Sequence, residues 1–184
     1  MNEVIYDWAR WLDNTAWSTS IHESFYLYNW IETTHVLSLT LSLGLLFLID
    51  FRLLGLVFAE VDARLFAERL RWPMWIGFVI MFVTGILLFY AVPVRTAQSL
   101  WFRLKLLLLL LAALNALLFH SQLARLEDES CPPGLRSGAL ASIILWLGVV
   151  LCGRLIAYDW FDCVQEPSEW IRVVAGCVDG QEVF

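Results

Sequence analysis

A chain of 184 residues that is 60% hydrophobic and only 16% charged falls well off the pattern of a soluble domain. Its formal net charge of −6 argues against nucleic acid as a partner, because phosphate binding needs a basic surface. One helical bundle uses up most of this length and leaves no room for a second sizeable domain.

The stretch from Met1 to Trp30 carries Ile5, Trp8, Trp11 and Leu12 at helical spacing. It reads as one or two amphipathic helices lying flat in a membrane interface. Acidic residues and Trp replace the basic-then-apolar order of a cleavable signal. Four apolar runs follow: Val36 to Ile49, Met74 to Val92, Leu100 to Phe119 and Gly138 to Tyr158. Three of these, at ~1.5 Å per helical residue, are long enough for a hydrocarbon core of about 30 Å. Asp50 and Arg52 interrupt the first, yet apolar residues flank it from Tyr26 to Phe58, so it spans as well. In lipid every backbone amide needs an internal partner, and such runs therefore become helices.

Between the first two spans, Val61 to Arg71 reads as another interfacial piece, with Glu60 and Arg64 at the spacing of one helical turn. Cys131-Pro132-Pro133-Gly134 turns the chain before the last span. The acidic, aromatic tail is expected to fold back on the bundle. The expected fold is all-α: an interfacial segment over 1–30, a four-transmembrane-helix bundle over 31–158 and a tail over 159–184.

Of the ten Trp residues, only Trp146 lies well inside a span. The others suit the headgroup region, where the ring is buried and the N–H stays wet. Basic residues divide evenly between the two sides, but the tightest cluster, Arg52, Arg64, Arg69 and Arg71, lies in the first loop. The positive-inside rule then puts that loop in the cytoplasm and both termini outside.

Ionisable groups inside spans are costly unless paired or facing a cavity, so they are the best functional clues. His35 and Asp50 lie 15 residues apart in the first span, and Lys105 and His120 the same distance apart in the third. Fifteen helical residues cover about 22 Å. The two spans run in the same direction. His35 and Lys105, with Arg154 of the last span, therefore form an expected outer level, and Asp50 and His120 an inner one. Ser38 and Ser42, and Ala112 and Ala116, have the spacing that lets membrane helices approach closely. Plainer readings stand beside these. Arg103, Lys105 and Arg154 can snorkel to headgroups. His120 can cap a loop, and Asp50 with Arg52 can be a helix-end charge pair.

Two axial histidines at one depth would mark a haem b bundle, but His35 and His120 are separated in depth. Haem through a single histidine, or a quinone hydrogen-bonded by His35 or His120, stays open. No metal-ligand cluster, phosphate loop or nucleophile triad occurs, and no enzyme is expected. Cys163 and Cys177 both fall in the outer tail, where an oxidising compartment would join them as a disulfide.

The residues His35, Asp50-Phe51-Arg52-Leu53-Leu54-Gly55, Thr84-Gly85, Lys105, Asn115, Phe119-His120 and Gly153-Arg154-Leu155-Ile156-Ala157-Tyr158 resemble those of a family of uncharacterised bacterial four-helix inner-membrane proteins. The likeness covers most of residues 30–158. It extends more distantly to the membrane part of copper-resistance proteins and to b-type cytochrome bundles. It implies four helices and the inner membrane, with no established activity. The leading expectation is an accessory or anchoring subunit of a larger electron-transfer membrane complex, contacting lipid or quinone through His35, Lys105 and Arg154. Two alternatives are a small redox protein binding haem b or quinone, and a small ion or proton transporter using His35 and Asp50.

Overall fold

The computed structural model describes residues 2–123, 133–158, 161–163 and 168–178. Among these, every regular element is a helix: α1 (Asn2–Asp13), α2 (Ala16–Glu23), α3 (Phe25–Leu53), α4 (Ala63–Ala91), α5 (Pro93–Ala97), α6 (Leu100–Leu123), α7 (Pro133–Ala157) and α8 (Glu169–Ala175). Four of them, α3, α4, α6 and α7, are long and apolar enough to cross a membrane. Local chemistry sets many of the ends. Thr15 caps α2, its Oγ1 accepting from the Ser18 N–H at 3.3 Å. Asp62 does the same for α4, accepting from the Leu65 N–H at 2.7 Å. At the end of α3, Gly55 adopts φ +76°, and the N–H groups of Gly55 and Leu56 close back on the Arg52 and Phe51 carbonyls. This is the left-handed stop that glycine makes cheaply.

The stretch read as an interfacial piece, Val61 to Arg71, runs without interruption into the second span, because α4 continues from Ala63 through Pro73 to Ala91. Pro73 lacks an N–H, so the Arg69 carbonyl loses its helical donor, but the flanking turns keep the helix in one piece.

Two compact units share the long helices. The first comprises Met1–Thr34, Val83–Leu107 and Val150–Phe184. Here α1 turns Tyr6 and Ala9 onto Val94 and Ala97 of α5, with Phe89 and Val178 against the same cluster. Trp8 stacks on Phe89 at 6.2 Å, and Phe89 on Phe102 at 5.3 Å. The Thr15 hydroxyl is hydrogen-bonded with that of Tyr90 at 2.9 Å. The described part of the tail is held to the start of α6 at several points. The Leu100 N–H donates to the Phe161 carbonyl at 3.3 Å, and Arg103 Nη1 donates to the Val174 carbonyl at 2.7 Å. Cys163 and Cys177 are joined by a disulfide, with 5.5 Å between their Cα atoms.

The second unit comprises His35–Phe82 and Leu108–Val149. Its apolar cluster is Ile49, Leu53, Ala63 and Ala139, with Phe66, Leu70 and Met74 packed around it. Ser38 and Ser42 of α3 face Gly77 of α4 so closely that a Cβ on Gly77 would collide with Ser42 Oγ. The two serines satisfy their hydroxyls on their own helix, Ser42 on the Ser38 carbonyl at 2.6 Å and Ser38 on the His35 carbonyl at 3.0 Å. The small-residue spacing thus brings α3 against α4. In α6, Ala112 is buried while Ala116 is exposed.

Candidate functional site

Asp50 is the most deeply buried ionisable side chain described, 1% exposed. It lies three residues before the end of α3, about 4.5 Å along the helix axis. The Ser142 side chain of α7 is positioned to hydrogen-bond with it. Its second oxygen, Oδ2, is buried without a hydrogen-bond partner among the described residues. Arg52 does not pair with it. The Arg52 Nε instead donates to the Val61 carbonyl at 2.6 Å and pins the loop that leads into α4. The reading of Asp50 and Arg52 as a charge pair is therefore replaced by two separate roles, one inside the unit and one in its loop.

Lys105, in the other unit, is half-buried on α6. Its ammonium leans sideways onto α7, 3.6 Å from where a Cβ of Gly153 would stand. The neighbouring polar group is the buried, free thiol of Cys152. Among the described residues no carboxylate pairs with Lys105. Arg154 is exposed and turns along its own helix, donating from Nη2 to the Tyr158 hydroxyl at 3.1 Å with its guanidinium 5.4 Å from that ring's centroid. Arg103, a candidate for snorkelling, serves the tail instead and donates to the Val174 carbonyl near the C-terminal end of α8.

The residues expected at the outer level are distributed between the units: His35, half-buried, begins one, while Lys105 and Arg154 belong to the other. The His120 side chain lies outside the described residues. No group of three or more His, Cys, Asp or Glu suited to a metal ion occurs among the described residues. Sequence reasoning missed Ser142. Its signal was a lone hydroxyl within an apolar run, which a search restricted to ionisable groups passes over.

Beside Asn115, α6 and α7 leave an open, apolar groove of about 430 Å³ lined by Leu111, Leu114, Leu118, Ala141, Ile144 and Leu145. Asn115 Nδ2 donates to the Gly138 carbonyl at 3.0 Å. The chain also has a counterpart among sequence families. The family of unknown function DUF6644 matches residues 13–159. The chain belongs to this family. No curated protein and no solved structure matches it. Membership covers all four spans and both polar positions, Asp50 with Ser142 and Lys105 with Gly153. The part of the tail that carries the disulfide lies beyond the match.

Proposed function

We propose that the protein is an accessory or anchoring subunit, without a reaction of its own, in a larger electron-transfer complex of the bacterial inner membrane. Both termini lie on the periplasmic side in this reading, where an oxidising compartment suits the Cys163–Cys177 disulfide. The observation that carries the proposal is the open side of α6. Only 6% of the most apolar 18-residue window of α6 is buried inside the protein, against 39% for that of α3. Leu107, Leu110, Leu114 and Leu117 lie along one side of α6 and are all exposed.

Van der Waals packing against another helix covers such a face without any catalytic residue. The adjoining apolar groove suits a lipid chain or the tail of a quinone. Lys105 offers a donor for a quinone carbonyl or a lipid phosphate. A photo-crosslinking residue at Leu110, activated in native membranes, tests the reading. The expected product is a discrete adduct with an integral redox subunit. Lipid adducts alone would remove its support.

A further inference from the structure

A carboxyl group enclosed by the protein inside a membrane span is the least comfortable group in this molecule. We propose that Asp50 and Ser142 form a proton-binding site that exchanges its proton with the aqueous phase beyond the end of α3. The inference goes beyond the subunit reading and does not depend on it.

Geometry restricts what this site can hold. Asp50 is 1% exposed and Ser142 is 7% exposed, so no organic ligand reaches them without separating α3 from α7. A metal cation fits no better. The pair offers two carboxyl oxygens and one hydroxyl, against about 6–8 oxygen ligands for calcium and near-octahedral coordination for magnesium. A proton needs only one oxygen.

The charges around the site are turned elsewhere. On α3, Arg52 is committed to the Val61 carbonyl. On α4, Arg64 pairs with Glu68 at 3.2 Å, both exposed, and Arg69 and Arg71 are exposed too, Arg71 over the ring of Trp72. The residues of α4 in the cluster around Ile49 and Leu53 are Ala63, Phe66, Ala67, Leu70 and Met74, all apolar. On α7, Arg136 is exposed and Ala139 is buried one turn before Ser142. On α6, Asn115 is committed to the Gly138 carbonyl, and the His120 side chain lies outside the described residues. No described cation neutralises Asp50, and a lone carboxylate away from water is costly.

Ser142 makes both protonation states workable. A hydroxyl carries one donor and two acceptor positions and rotates to suit. It donates to the carboxylate and accepts from the carboxylic acid. Uptake is the simple balance of carboxylate plus aqueous proton to acid, with no other bond made or broken. Asp50 lies about one turn from the end of α3, so the path to water is short. The α3–α7 contact then becomes a place where proton activity acts on helix packing.

Infrared difference spectroscopy on the full chain in lipid, between a higher and a lower pH, tests this. The expected signal is a carboxylic-acid C=O band that shifts in D2O, disappears in Asp50→Asn and changes frequency in Ser142→Ala. If Asp50→Asn does not fold, the Ser142→Ala shift decides alone. A spectrum with no such acid band, or with one that ignores Ser142→Ala, overturns the proposal. In those outcomes Asp50 either keeps one protonation state throughout or titrates without Ser142.

Discussion

Replacing Gly176 by Ala should loosen the tail through two separable effects. Gly176 has φ +82° and closes α8 by donating its N–H to the Arg172 carbonyl at 3.0 Å. An L side chain in that left-handed conformation costs roughly 1–2 kcal/mol. The added methyl would also overlap the Arg103 guanidinium, which lies directly against Gly176. Arg103 would have to leave the Val174 carbonyl, to which it donates at 2.7 Å. Bonds of this kind to charged groups contribute about 1.5–3 kcal/mol. This one is exposed, so about 1 kcal/mol is the appropriate figure.

The expected loss is therefore roughly 2–3 kcal/mol of local stability. Hydrogen exchange at the α8 amides reports it directly, with protection falling on the order of 30- to 150-fold. A double-mutant cycle separates the terms. With Arg103→Ala already present, Gly176→Ala should retain only the backbone cost, leaving a coupling of about 1 kcal/mol. Additive effects of the two substitutions would show that the added methyl does not displace the guanidinium from the Val174 carbonyl.

Two further predictions follow from the same contacts. Gly77→Val should force α4 away from Ser38 and Ser42, at a cost of about 1–3 kcal/mol for overpacking, whereas Gly44→Ala, with open space at that position, should be neutral; detergent-titrated unfolding compares the two. Cys163→Ser should release the tail, because a disulfide closing a loop of this size contributes about 3 kcal/mol in the chain-entropy model; unchanged resistance of the tail to protease would contradict it.

The spans were legible because apolar length is a coarse signal that lipid enforces strongly. Their ends were less so. The charged stretch before the second span hid how early α4 begins, and the helix runs on through Pro73 because lipid and neighbouring helices tolerate a missing N–H. The short helix α5 is built from Pro93-Val94-Arg95-Thr96-Ala97, too brief to show a period. Within the site, Asp50 stood out as an ion among apolar residues. Its partner Ser142 did not, because serine in a membrane helix commonly bonds its own backbone, as Ser38 and Ser42 do here. Arg52 likewise could not be assigned from spacing, since its acceptor is a carbonyl nine residues away, placed only once the loop is folded. Gly77, opposite those two serines, carries no signal of its own in a run of apolar residues.

The most direct test of the subunit reading is the native mass of the chain extracted from its own membranes in a mild detergent. An assembly well above 21.2 kDa that contains a redox-active membrane partner, and that falls apart when α6 is altered at Leu110 and Leu114, is the expected result. A chain that runs alone at its own mass, with the same stability before and after those changes, would contradict the account.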